Sequence, residues 1–241
     1  VPTQTFLRRL PETLRKRGPW QLVSYSDRLL DIFPAPEPKQ VYGVAVDVGT
    51  TTVAVGLSNL LTGEEIAAAA DMNRQTVLGA DVIARIKEAE NPHSLARLQQ
   101  EVVETINQVI GDVCRQGGIE PSKVYRAVVV GNTCMQHLLL GVNPAYLAQA
   151  PYVPAFTDMV TYPAAQLGFD IFPEAPVSLL PSIAGFVGAD TVGVIMAAGL
   201  SELSGILLAV DIGTNGEIVL SKDGKMLTCS TAAGPAFEGG Q

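Results

Sequence analysis

An α/β protein with mixed β-sheets, built as two related lobes, is what this 241-residue sequence predicts. Three observations carry that prediction. The first is a repeated device: a short apolar strand, an Asp-x-Gly-Thr turn and a second strand, at Asp47-Val-Gly-Thr50 and again at Asp211-Ile-Gly-Thr214. The second is a stripe of Leu95, Leu98, Val102, Ile106, Val109, Ile110 and Val113, whose spacing marks one face of a helix. The third is composition, with 47% hydrophobic and 17% charged residues, which suits strands buried beneath helices and not a disordered chain or coiled coil.

Residues 1–33 combine a basic, leucine-containing stretch with Val23–Ser26 and Leu29–Phe33, and read as a small helix followed by short strands. Pro34, Pro36 and Pro38 then form a stiff linker. Val44–Val48 and Thr52–Leu57 read as strands joined by a turn carrying Gly49, and Leu61–Glu64 as the next hairpin tip before the alanine-rich Ile66–Ala70. Asp81–Glu90 reads as a helix with apolar Val82, Ile83 and Ile86, stopped by Pro92. Ser94 is the expected N-cap of the long helix and Gly117-Gly118 its end.

Tyr125–Val130 reads as a buried strand that runs directly into a helix over Asn132–Leu140. Residues 143–181 are rich in proline and aromatic side chains without a period, and read as an inserted connector. A buried helix is expected from Ala189, then a strand over Ile206–Ile212, a turn over Gly213–Gly216, a partner strand over Glu217–Ser221 and a hairpin tip at Asp223-Gly224. Cys134 and Cys229 read as small buried residues, and His137, among Met135, Leu138 and Leu139, as a core histidine.

Bulk properties narrow the function. A net charge of −8 argues against nucleic acid as a partner. The chain has no run of about 18 apolar residues and no apolar segment after its basic start, so neither a membrane span nor a signal peptide is expected. Three cysteines without Cys-x-x-Cys spacing suggest reduced thiols in the cytoplasm and argue against a self-contained iron–sulfur cluster.

The paired turns carry the chemistry. A phosphate needs backbone N–H donors that can come close, and a bound metal needs a carboxylate nearby. Gly49 clears the first turn so that Thr50, Thr51 and Thr52 can aim N–H and hydroxyl groups at phosphate oxygens; Gly213, Thr214 and Asn215 stand in the same relation in the second. Asp47 and Asp211 end the strands beneath, placed to hold Mg²⁺ through water. Asn132 starts a helix and is either its N-cap, a water-orienting group or both. Asp190 faces the cleft or stabilises a helix N-terminus. Glu217 and Glu238 are further acidic candidates, against a plain surface or hairpin role.

Several segments together resemble the ATPase region of the reductive activators of corrinoid proteins, within the acetate and sugar kinase, heat-shock chaperone and actin superfamily. They are Tyr42–Val53, Val130–Thr133 with Leu138–Gly141, Gly185–Asp190, Asp211–Glu217 and Ala233–Gly239. The resemblance implies a ribonuclease-H-like, actin-like ATPase fold, with the first lobe complete and the second truncated. Residues 1–40 would be the end of a linker domain and the Pro-rich linker, 41–205 the first lobe with its connector, and 206–241 the start of the second.

It further implies ATP and Mg²⁺ as ligands, Gly234 as a nucleotide-binding residue, and Asp47, Asp211 and Asn132 as the catalytic set. The implied activity is ATP-dependent reduction of a partner corrinoid protein from Co(II) to Co(I) for methyl transfer. A [2Fe-2S] centre is implied only in an N-terminal domain absent from this sequence, and a homodimer is allowed for. Two other readings stay open: a small-molecule kinase and a non-catalytic, nucleotide-dependent interaction module.

Overall fold

The computed structural model describes residues 1–16, 18–35, 41–213 and 215–232. Helix α1 (Gln4–Arg15) begins where the Thr3 hydroxyl accepts the Phe6 N–H, and is followed by an antiparallel hairpin of β1 (Trp20–Tyr25) and β2 (Arg28–Pro34). This small unit is fastened to the rest through fully buried Asp31, which accepts from Arg9 at 2.6 Å and from the Tyr125 hydroxyl at 2.8 Å.

The main sheet opens with an antiparallel meander of β3 (Tyr42–Val48), β4 (Thr52–Asn59) and β5 (Glu65–Met72). Alternation along β3 and β4 sends Val44, Val46, Val48, Val53, Val55 and Leu57 to one face. Helices α2 (Val82–Glu88) and α3 (Pro92–Gly117) cross back over that face to β6 (Val124–Gly131), which lies parallel to β3. Six stripe residues of α3, from Leu98 to Val113, are at most 1% exposed. Full burial of such a side chain stabilises by roughly 1.5–3 kcal/mol. Gly118, in the left-handed conformation at φ 64°, ends the helix as the sequence predicts.

Helix α4 (Thr133–Leu139) leaves the end of β6 at once. Next come β7 (Val160–Pro163), the single turn α5 (Ala164–Leu167), β8 (Pro176–Leu179) and α6 (Ala189–Ala197). The six-stranded sheet has the order β5-β4-β3-β6-β8-β7, with β3, β6 and β8 mutually parallel. Helix α6 lies on the opposite face from α3, where a Cβ on its Gly193 would touch Val130 at 3.6 Å. The chain then forms a three-stranded antiparallel sheet from β9 (Ile206–Ile212), β10 (Asn215–Lys222) and β11 (Lys225–Ala232).

Several expectations need correcting. Pro92 is not a stop: it is the first residue of α3, where a missing N–H costs nothing because that donor has no partner within the helix. The N-cap is Asn91, accepting the His93 N–H at 2.9 Å, while Ser94 sits inside the helix and donates to Glu88 at 2.5 Å. The proline-rich stretch 143–181 supplies β7 and β8 to the main sheet. Helix α6 buries Ala189 and Thr191 but leaves Met196 66% exposed, so apolar composition overstated its burial. The second turn is tighter than expected, since β10 already begins at Asn215, and Cys229 is exposed.

Candidate functional site

Because Val46 and Val48 point into the core, Asp47 between them faces the α6 side of the sheet. The following turn closes tightly: a Cβ at Gly49 would lie 2.5 Å from the Thr52 carbonyl oxygen, so no larger residue fits without moving the backbone. The turn is held from beneath by three bonds. The Asn73 amide donates to the Gly49 carbonyl at 2.9 Å, the Asn73 N–H to the Thr51 carbonyl at 2.8 Å, and the Arg85 guanidinium to the Thr50 carbonyl at 2.5 Å.

Asn132 joins this turn to α4. Its Oδ1 accepts the Met135 N–H at 3.0 Å as an N-cap, and its Nδ2 donates to the Thr50 hydroxyl at 3.1 Å. Gly188 then brings the start of α6 against it, since a Cβ there would lie 2.5 Å from Asn132 Cα and 2.7 Å from the Gly131 oxygen. That approach places Asp190, in the first turn of α6, beside the loop.

The second strand–turn–strand unit faces the first. Asp211 on β9 is paired in register with Glu217 on β10, and Gly213 donates its N–H to the Asn215 carbonyl at 3.0 Å. Asp47, Gly49, Thr50 and Asn132 from one side meet Asp190, Asp211, Gly213, Asn215 and Glu217 from the other around a hollow of about 140 Å³. Thr51 and Thr52 do not line it. Thr214, Gly234 and Glu238 lie outside the described residues.

Negative charge dominates the hollow. Burial, then Asp190, then Asp211 push the Asp47 carboxyl from 3.8 up to about 6, although the side chain still opens onto the cleft. Burial likewise raises Asp190, against the pull of hydrogen bonds from Thr191, with Asp211 adding to the rise. Glu217 is raised by burial and, beyond the opposing Ser230 hydroxyl bond at 3.0 Å, by Asp190 and Asp211. No basic side chain lines the hollow among the described residues.

Such oxygen donors suit a hard divalent cation. Among the described residues no three acidic, histidine or cysteine side chains stand close enough to share one ion. A larger hollow of about 500 Å³ nearby is lined by Ala45, Ala54, Gly56, Ala68 and Val128, with Asp47 as its one charged residue among the described residues. It offers nothing to orient a polyanion.

The sequence reading missed the supporting residues Asn73, Gln75 and Arg85, each 0% exposed. The available signal was a cation set among the apolar Val82, Ile83 and Ile86 of one short helix. His137 is a core histidine as expected: its Nδ1 pairs with the Thr133 carbonyl at 2.7 Å, its Nε2 accepts the Ala155 N–H at 2.9 Å, and its ring stacks on Phe156.

A mixed sheet with a parallel β3–β6–β8 centre, and a second Asp-turn unit across a shared crevice, define a ribonuclease-H-like protein with the actin-like ATPase fold. Residues 42–203 match the family model described as the RACo middle region, and residues 205–241 the C-terminal domain of RACo, the ASKHA domain. The chain belongs to this family, the reductive activators of corrinoid proteins.

It is 37% identical over 215 residues to the corrinoid activation enzyme RamQ of Eubacterium limosum, covering 88% of this chain and 36% of that protein. The Co(II) methylated amine-specific corrinoid protein reductase of Methanosarcina barkeri is 26% identical over 208 residues, covering 83% and 37%. A solved reductive activator for a corrinoid, iron–sulfur protein superposes with a TM-score of 0.92 at 36% identity, covering 99% of this chain and 39% of that one. The chain thus spans little more than a third of the length of these relatives.

Proposed function

We propose that this chain is the nucleotide-binding region of an ATP-dependent activator that reduces a partner corrinoid protein from Co(II) to Co(I). The observation that supports it most is the meeting of two glycine-turn units on one acidic hollow, in a chain whose relatives are named for corrinoid activation or reduction. In this reading the Gly49–Thr52 and Gly213–Asn215 turns grip the β- and γ-phosphates, with Gly234 as a further nucleotide-binding residue. Asp47 and Asp211, backed by Asp190 and Glu217, would hold Mg²⁺. The ion would neutralise phosphate charge, and the donor set fits it. Asn132, anchored to both α4 and Thr50, orients the attacking water.

Positioning and charge neutralisation account for most of such phosphoryl chemistry. Nucleotide state biases closure of the crevice through differential affinity for open and closed forms, and closure alters the fit to the corrinoid protein. The one electron that converts Co(II) to Co(I) would be supplied by a [2Fe-2S] domain outside this chain. A cytoplasmic location and a homodimer are part of the proposal; no helix of the described residues is long and apolar enough to cross a membrane.

The test follows the corrinoid absorption spectrum of a partner protein mixed with reductant and the full-length polypeptide, with and without ATP. Co(I) should accumulate only with ATP. Identical spectra in both arms would remove the activator reading, and a phosphorylated metabolite in place of Co(I) would favour a kinase.

A further inference from the structure

Behind the Gly49–Thr52 turn, on the side away from the hollow, lies a buried arginine to which the mechanism so far gives no task. Arg85 on α2 is 0% exposed. Its guanidinium donates to the Gly79 carbonyl at 2.9 Å, Gln75 Oε1 at 3.0 Å, Met135 Sδ at 3.1 Å and the Thr50 carbonyl at 2.5 Å. All four acceptors are neutral. Among the described residues no carboxylate stands at ion-pair distance from it. The Asp81 carboxylate that caps the same helix is engaged with the Ala84 N–H at 2.8 Å and acts on Arg85 only from a distance.

A buried cation without a paired anion is expensive to keep, and a neutral side chain could make a comparable strut. Burial draws the Arg85 pKa down to about 10, which still leaves it charged near neutrality. Its charge therefore sits one peptide group behind the proposed phosphate site.

Peptide geometry adds a second reason. In a trans peptide the C=O and N–H edges point in opposite directions. Arg85 holds the Thr50 carbonyl and Asn73 the Gly49 carbonyl, so both carbonyls of the turn are tied on the side opposite their own N–H edges. Successive N–H groups presented on one side of a turn make an anion-binding concavity.

We propose that Arg85 is a positioning residue for the phosphate-binding turn, fixing the Thr50 peptide and placing a permanent positive charge behind the bound anion. The inference rests on the nucleotide reading of the hollow. It assigns the cost of burying the cation to recognition of phosphate and not to packing.

The experiment compares wild type, Arg85→Met and Arg85→Lys in the full-length polypeptide, measuring Mg–ATP and adenosine affinity by competition against a fluorescent nucleotide. Arg85→Met should bind Mg–ATP about tenfold more weakly, the scale of one lost charge-assisted contact, with adenosine binding held within about twofold. Arg85→Lys, which keeps the charge but not the fork of donors, should lose about threefold for Mg–ATP alone. Equal losses for both ligands would show a strut without charge selectivity and overturn the proposal; so would unchanged Mg–ATP affinity in both variants. If Arg85→Met fails to fold, the Arg85→Lys ratio decides by the same criterion. Wild-type protein that binds no Mg–ATP would instead sink the nucleotide reading itself.

Discussion

Asp47 sits where two demands conflict. Its carboxylate is proposed to attract Mg²⁺, yet it is raised from 3.8 to about 6 by burial and by Asp190 and Asp211. The folded protein therefore holds this proton more tightly than the unfolded chain. The group's contribution favours the fold at low pH and is lost as pH climbs through about 6. Asp47→Asn should accordingly raise the melting temperature of the nucleotide-free protein at pH 7.5, by about 1–2 °C after allowing for solvent screening. The same variant should weaken Mg–ATP binding, and wild-type affinity should fall as pH drops through about 6. Calorimetric melting and titration across pH 5–8 read both effects; a lower melting temperature with unaltered binding would contradict them. Asp47 and Asp211 were legible because each belongs to a local Asp-x-Gly-Thr pattern. Arg85 and Asn73 were not, because their contacts to the turn span 35 and 24 residues, and local patterns carry no such information.

Helices α4 and α6 are locked start to start by an absent side chain. Gly188→Ala would drive a methyl to within 2.5 Å of Asn132 Cα, and backbone atoms cannot yield as a flexible side chain does. The expected cost is about 1–3 kcal/mol, together with weaker nucleotide binding as Asn132 shifts. Chemical denaturation measures the first, and an unchanged midpoint would refute it. At the far side of α4, His137 must stay neutral to accept the Ala155 N–H while its other nitrogen serves Thr133. Burial holds its pKa below 6.5, outweighing that backbone bond. Its contribution is thus present above 6.5 and lost as pH falls, so His137→Phe should flatten the acid side of the stability profile; a slope identical to wild type would count against this role. Long periodic elements such as α3 were legible from spacing alone. The four-residue strands β7 and β8 were not, because they lie among prolines and gain their strand character from pairing with each other and with β6. Pro92 misled for a related reason: proline ends one helix and starts the next with equal ease, and only the N-cap at Asn91 tells which.

For the molecule as a whole, the proposed function depends on two units 164 residues apart acting on one ligand, the separation of Asp47 from Asp211. The repeat in the sequence pointed to two Asp-turn units, and in the structure residues of both line one hollow. A double-mutant cycle on Mg–ATP affinity, with Asp47→Asn, Asp211→Asn and both together in the full-length polypeptide, tests this most directly. If both carboxylates serve one bound ion, the double variant should lose less than the sum of the single losses, with a coupling of about 0.5–3 kcal/mol. Strictly additive losses, or no loss in either single variant, would contradict a shared site.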